Sequence, residues 1–319
     1  MNRRNFLRNA LTGAAVLGAG SCVPEGLNKV FGQKIPDSDD QLVGGSEFKK
    51  RKKIKLGAWD KLFKPLDIEI VAPYIKAAGF AGTTVSLNAL VEDFKTEKWR
   101  EEVKRLKQVA ADNDLEFLSS GTSERDPVRV RRVFETAAQL GVSVICTGPG
   151  GVPEDEASYR KSVDDLGAVA KIAEEYKIPI VCKAHDGTCA NTTAGLLRLL
   201  NDIKNPYFCA DIDPYHVFLA KESLTEAAKK LVPYLKYAHV QDFKFGPDGK
   251  FAKASPIEKA PGRGEVDIPG YLKVLIDGGY EGPLMVEIYG HEMDLSTAIL
   301  VTAQGHGYLD ACLKILEKN

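Results

Sequence analysis

No stretch of the 319-residue sequence holds the ~20 consecutive apolar residues that a membrane-spanning helix needs. Net charge is −1, from 43 Lys+Arg against 44 Asp+Glu, so the basic surplus that nucleic-acid binding demands is missing. That balance points to a small or neutral partner and to no nucleic acid. The six cysteines form no CxxC motif, which removes the zinc-ribbon and thioredoxin-like readings. Apart from Cys22 they are odd in number (Cys146, Cys182, Cys189, Cys209, Cys312), and three fall inside predicted strands. They read as buried thiols, with no disulfide framework. No G-x-G-x-x-G follows the first predicted strand, which argues against a dinucleotide-binding fold. The Gly-rich segment Thr147-Gly148-Pro149-Gly150-Gly151 reads as a turn needing positive φ, not as a phosphate cradle. Hydrophobic content of 44% and aromatic content of 8% are those of an ordinary globular protein.

What is present begins with a segment to be set aside from fold reasoning. Arg3, Arg4 and Arg8 precede a short apolar stretch, Ala10 to Gly20, as in an export signal over residues 1–21. Asn2-Arg3-Arg4-Asn5-Phe6-Leu7-Arg8 resembles a twin-arginine signal, and Leu17-Gly18-Ala19-Gly20-Ser21-Cys22 resembles a bacterial lipobox. The expectation is an exported protein, periplasmic or membrane-anchored as a lipoprotein through Cys22; an ordinary cleaved signal with an incidental cysteine is the alternative. Removing residues 1–21 leaves 40 Lys+Arg against 44 Asp+Glu, a net charge of −4. Residues 22–53 are polar and end in Lys49-Lys50-Arg51-Lys52-Lys53, which reads as a tether with a solvated end.

From residue 54 to 319 strand and helix patterns alternate. β-rich runs stand at Ile54–Trp59, Gly82–Leu87, Leu115–Gly121, Val142–Thr147, Ile178–Ala184, Tyr207–Ile212, Leu235–Gln241 and Leu284–Tyr289. Between them lie amphipathic stretches. In Thr96 to Asn113, Trp99, Val103, Leu106, Val109 and Ala110 share one face. Asp126-Pro127 has the form of a helix cap followed by a first-turn proline. Gly79, Gly141 and Gly279 stand where helices should end in a left-handed residue. Eight strand–helix pairs predict a single-domain α/β protein, a (β/α)8 barrel, whose active face is built from the loops after the strands.

Conspicuous groups stand at those loops in the second half. Lys183-Ala184-His185 ends strand five, Asp211-Ile212-Asp213-Pro214-Tyr215-His216 ends strand six, His239-Val240-Gln241-Asp242 ends strand seven, and Glu287 ends strand eight with His291 beyond it. His306 falls in the final helix and reads as structural or surface. A mixed Asp/His/Glu set suits Mn²⁺, Co²⁺, Zn²⁺ or Mg²⁺. The residues Lys244, Asp248, Arg263 and Glu265 lie on a long connection after strand seven, of the kind that forms lids or binding loops. Trp59, Phe63, Tyr215, Phe243 and Tyr289 lie near strand ends, where they serve either sugar stacking or core packing.

From about Ile54 onward the chain resembles the xylose isomerase-like barrel superfamily, in particular its sugar phosphate isomerases and epimerases. The residues that carry the likeness are Asp213-x-x-His216, His239-x-Gln241-Asp242, Gly262-x-Gly264-x-Val266-Asp267 and Gly278 to Glu287. The resemblance implies metal roles for Asp213, His239 and Glu287 and substrate contacts for His185 and His216; Lys244 and Arg263 are the further substrate-binding candidates. One position departs from the family. Members read Glu-Asn-His where this chain reads Lys183-Ala184-His185, which puts an ammonium where the first metal ligand should be.

The leading expectation is an isomerase, epimerase or lyase that removes a proton beside a carbonyl of an unphosphorylated sugar or keto-sugar. Glu287 is the base, and a metal or Lys183 steadies the enediolate. Three readings of Lys183 stay open: a weakened three-ligand metal site, a lysine that acts as electrophile or as a base with a pKa lowered by burial, or a carbohydrate-binding lipoprotein that has lost catalysis. A Schiff-base role is disfavoured, because a lysine among Asp and Glu stays protonated. Metal-dependent phosphoester or DNA-repair hydrolysis ranks last, for want of ligands and of a basic groove.

Overall fold

A computed structural model describes residues 53–63, 65–246, 255, 257–288 and 293–317. The export signal, Cys22, the arm before Lys53, Asp248, Tyr289 and His291 lie outside the described residues.

Eight parallel strands close into a barrel in chain order. They are β1 (Leu56–Ala58), β2 (Gly82–Thr84), β3 (Glu116–Gly121), β4 (Val144–Thr147), β5 (Ile180–Lys183), β6 (Phe208–Ile212), β7 (Leu235–Val240) and β8 (Leu284–Val286). Around them run α1 (Ile68–Ala77), α2 (Asn88–Glu92), α3 (Glu97–Asp112), α4 (Pro127–Leu140), α5 (Glu156–Tyr176), α6 (Thr193–Ile203), α7 (Pro214–Leu219), α8 (Leu224–Leu231), α9 (Ile268–Asp277) and α10 (Leu295–Leu316). No described helix is long and apolar enough to cross a membrane.

Local sequence accounts for most of these boundaries. Thr96 caps α3 by accepting from Trp99 N–H, and Asp126 caps α4 ahead of Pro127. Gly79, Gly141 and Gly279 all adopt positive φ after a helix, as a left-handed stop requires. The strands are shorter than the hydrophobic runs that announced them. Val85 and Leu87 continue the second run beyond Thr84 and are buried, yet they lie past the end of the strand. The five cysteines among the described residues are free thiols.

Strand periodicity builds the barrel interior in two layers. Leu118, Val144, Val181, Cys209, Tyr237 and Met285 form the buried floor. Gly57 and Gly82, paired across β1 and β2, make room for it. A Cβ at Gly57 would stand 2.6 Å from Met285 Cε, and one at Gly82 would stand 2.2 Å from Glu116 O. Two residues further along each strand, the same face carries Lys183, Asp211, His239 and Glu287 to the mouth. The layer above the floor is therefore polar, and its charge lies on the β5–β8 side.

The connection after β7 is held by one side chain. Asp242 Oδ2 accepts from Gly262 N–H and Gly264 N–H, both at 2.9 Å, and Oδ1 accepts from Phe243 at 2.9 Å and Val266 at 3.1 Å. A Cβ at Gly264 would sit 2.1 Å from Asp242 Oδ1, so the glycine permits the backbone to approach. The Gly262-x-Gly264-x-Val266 pattern is thus the loop's half of a backbone clamp. His306 packs edge-on against Phe80, with ring centroids 4.9 Å apart, in a structural role on α10.

Candidate active site

Lys183 is the last residue of β5 and pairs in register with Asp211 of β6. Its side chain is 20% exposed, and Nζ donates to Asp213 Oδ2 at 2.6 Å and lies 3.8 Å from Glu287 Oε2. Asp213 caps α7 through Oδ1, which accepts from Tyr215 N–H at 3.0 Å and from the Gln241 amide at 2.5 Å. Both oxygens of this buried carboxylate are therefore engaged. His239 stands on β7 between two further carboxylates, with Nδ1 3.1 Å from Asp211 Oδ1 and Nε2 2.9 Å from Glu287 Oε2. The second contact is an ion pair, and among the described residues the buried Glu287 Oε2 has no partner aligned as a hydrogen bond. The Glu287 backbone is fixed by donation to Val240 O at 3.1 Å.

Burial opposes charge on every member of this cluster, and proximity overrides it. For Lys183, Asp213, Glu287 and Asp211 outweigh desolvation and hold the ammonium well above its ordinary range. Desolvation lowers His239 too, but Asp211 and Glu287 raise it further, to about 10, so it is a cation at neutral pH. Asp213 and Glu287 are pushed up by burial yet end below the usual carboxylate range, Asp213 chiefly through Lys183 and Glu287 chiefly through His239. The reading of Lys183 as a base with a pKa lowered by burial is thus overturned: three surrounding carboxylates reverse the shift.

His185 and His216 stack with ring centroids 4.0 Å apart, and His216 Nε2 is 3.8 Å from Asp213 Oδ2. Burial takes His216 down to about 4, leaving a neutral imidazole able to donate from one nitrogen and accept at the other. A cavity of about 490 Å³ opens above the cluster. Lys183, His185, Asp211, His239 and Glu287 line one side, and Trp59, Thr84, Ser86 and Ser119 line the other. Lys61 Nζ lies 4.3 Å over the Trp59 ring. One half of the mouth carries the charge cluster, and the other sets Asp60 and Lys61 beside Trp59 and a row of hydroxyls, a lining that suits a polar ligand.

The structure brings together Lys183, His185, Asp213, His216, His239 and Glu287. It places Lys244 against Glu258 at 3.5 Å and Arg263 against Gln304 at 2.7 Å, and neither lines the cavity. Phe63 is core, and Phe243 packs edge-on against Phe218. Asp211, Gln241 and the Thr84/Ser119 wall were not singled out from sequence. Asp211 has a legible signal, since it lies two residues from both Cys209 and Asp213 on one strand face. Gln241 falls within the His239-x-Gln241-Asp242 motif without a role being assigned to it, and the hydroxyl wall has no signal, because neutral polar residues at strand ends are common.

A divalent cation is what the family resemblance implies for Asp213, His239 and Glu287. The three do converge: one ligand atom from each lies within 4.8 Å of the others, and all three residues are buried. Charge opposes the ion. Lys183 already holds Asp213 Oδ2, and a unit charge about 4 Å from a divalent ion is repelled by roughly 8 kcal/mol at an effective dielectric near 20. With Lys183 in place, the set as folded does not fit a divalent ion.

The family described as Xylose isomerase-like TIM barrel matches residues 73–312. An inosose dehydratase of Clostridium perfringens (strain 13 / Type A) is 28% identical over 142 residues, 42% of this chain and 48% of that protein, so the match spans about half the relative's length. An inosose dehydratase of Clostridium botulinum (strain Alaska E43 / Type E3) is 24% identical over 234 residues, 66% of this chain and 78% of that protein. Among solved structures, the apo form of 3-keto-D-glucoside 4-epimerase from E. coli superposes with a TM-score of 0.62 at 18% identity, over 84% of this chain and all of that one, a likeness of fold. With its closed eight-stranded barrel and a family match over most of its length, the chain belongs to the xylose isomerase-like TIM barrel family.

Proposed function

We propose that this chain is an enzyme that removes a proton beside the carbonyl of a sugar or keto-sugar, as an isomerase, epimerase or lyase, with Glu287 as the base. The observation that carries the reading is Glu287 Oε2. It is a buried carboxylate oxygen between two cationic side chains, 2.9 Å from His239 Nε2 and 3.8 Å from Lys183 Nζ and without an aligned hydrogen bond among the described residues, on a residue that lines the polar cavity. A buried carboxylate held ionised by cations at the wall of a cavity is a candidate general base. The relatives' names, a dehydratase of an inosose and an epimerase of a keto-glucoside, are consistent with chemistry beside a carbonyl.

In the proposed step the C–H electron pair becomes a carbon–carbon double bond, the carbonyl π pair moves to the oxygen to form an enediolate, and the proton passes to the Glu287 carboxylate. Because His239 and Lys183 hold Glu287 ionised, it is ready to accept the proton but weakly basic, and the reaction depends on stabilising the oxyanion. Delivery of a solvent proton to the other face, transfer of the abstracted proton to the neighbouring carbon, or departure of a group one carbon on gives epimerisation, isomerisation or elimination. His185, which lines the cavity, is the proposed hydroxyl-binding group, with His216 against its ring at 4.0 Å. The basic n-region and the lipobox-like Cys22 further support export of the chain before it acts, which the mass of the mature N-terminus would test.

The test is solvent deuterium incorporation into a panel of ketoses and keto-sugars, followed by mass spectrometry. Wild type should label at least one panel member, and Glu287→Gln should slow labelling by about 10²-fold or more in a protein that circular dichroism shows to be folded. Binding without exchange across the whole panel would establish instead a carbohydrate-binding protein that has lost catalysis.

A further inference from the structure

We propose that the Lys183 ammonium takes the place of a divalent cation in this barrel, serving as the fixed electrophile of a site that works without bound metal. The electrophilic role rests on the function proposed above; the exclusion of metal does not.

The geometry carries the inference. The three residues able to surround an ion, Asp213, His239 and Glu287, leave one side of their ring to the end of β5. The chain puts a cation there. Lys183 Nζ lies 2.6 Å from Asp213 Oδ2 and 3.8 Å from Glu287 Oε2, so it binds the same carboxylates an ion would bind. Asp213 cannot serve both, because its other oxygen is committed to the first turn of α7 and to the Gln241 amide. His239 is engaged in the same way, with one nitrogen toward Asp211 and the other toward Glu287. Every donor an ion would need already faces a partner, Glu287 Oε2 included, with His239 Nε2 at 2.9 Å and Lys183 Nζ at 3.8 Å.

An ammonium has three N–H donors. Among the described residues Lys183 makes one side-chain hydrogen bond, to Asp213, and it lines the cavity. Its remaining donors can meet a carbonyl oxygen held over Glu287. As Glu287 takes the carbon-bound proton, negative charge grows on that oxygen, and Lys183 stabilises it by hydrogen bonding. The proton on Glu287 is later returned to carbon or lost with a leaving group as water, so no oxidant, reductant or metal enters the balance.

The experiment strips the full-length protein with chelator, reloads it with Mn²⁺, Co²⁺ or Zn²⁺, desalts it and measures metal by elemental analysis, with the visible spectrum of Co²⁺ as a second readout. Wild type should retain essentially none. Lys183→Met removes the charge without adding a ligand and should bind several orders of magnitude more tightly than wild type. Lys183→Glu adds the fourth ligand and should retain about one equivalent. Circular dichroism confirms which variants are folded. Stoichiometric retention by wild type overturns the proposal, whatever the variants do, and so does a failure of both folded variants to bind better than wild type. Any deuterium exchange by wild type should survive chelator; exchange lost with chelator and restored by one of the metals also overturns it. Failure to find exchange would count against the proposed function, while the metal measurements would still decide the present point.

Discussion

Replacing Lys183 by methionine keeps a side chain of similar length and deletes the charge between Asp213 and Glu287, 2.6 and 3.8 Å away. Removing one partner from a buried ion pair costs about 3–5 kcal/mol, because the other charge stays desolvated. The lower end applies here, since the lysine is 20% exposed and borders an open cavity from which water can reach the carboxylates. A loss of about 3 kcal/mol corresponds to a fall of roughly 6–12 °C in Tm for a domain of this size. The cost should depend on pH. Asp213 and Glu287 have folded pKa values below their ordinary ones, so their contribution to stability is present above the unfolded values, about 3.9 and 4.3, and is lost as pH falls through the folded values. Without Lys183 that depression weakens while burial remains, and the carboxylates protonate more readily. The gap between wild type and Lys183→Met should thus be widest at neutral pH and narrow toward pH 4. Urea unfolding followed by circular dichroism at the two pH values reads both quantities. A loss below about 1 kcal/mol at neutral pH, or a gap that does not narrow in acid, would refute the placement of Lys183 between the two carboxylates.

Asp242→Ala removes the acceptor for four backbone N–H groups of the connection after β7. Each orphaned group costs about 1–3 kcal/mol, and partial hydration of the freed loop should bring the total to about 3–5 kcal/mol in urea unfolding; an effect under about 1 kcal/mol would show that the clamp is dispensable. His239, raised to about 10, should stabilise the fold fully below its unfolded pKa of about 6.5 and lose that contribution as pH rises toward 10. The expected slope is at most about 1.4 kcal/mol per pH unit. It should be absent in His239→Gln, and a wild-type stability that stays flat across this window would contradict a protonated His239.

The sequence by itself determined the barrel and the face on which chemistry stands. Period-two alternation links Val181 to Lys183, Cys209 to Asp211, Tyr237 to His239 and Met285 to Glu287, so an apolar floor implies a polar mouth two residues on. The Asp126-Pro127 cap and the left-handed Gly79, Gly141 and Gly279 are written in single residues, because capping and positive φ are local demands. Pairing across the mouth was open until the fold closed. Sequence left Lys183 between metal-site remnant, base and electrophile, and tertiary structure set it against Asp213 from the next strand and Glu287 from three strands away. It also drew Lys244 to Glu258 and Arg263 to Gln304, away from the cavity. It turned the Gly262-x-Gly264 pattern into the partner of Asp242. Such contacts join residues 20 to 104 positions apart through barrel closure and strand register, and no local periodicity encodes which charges those two features bring together.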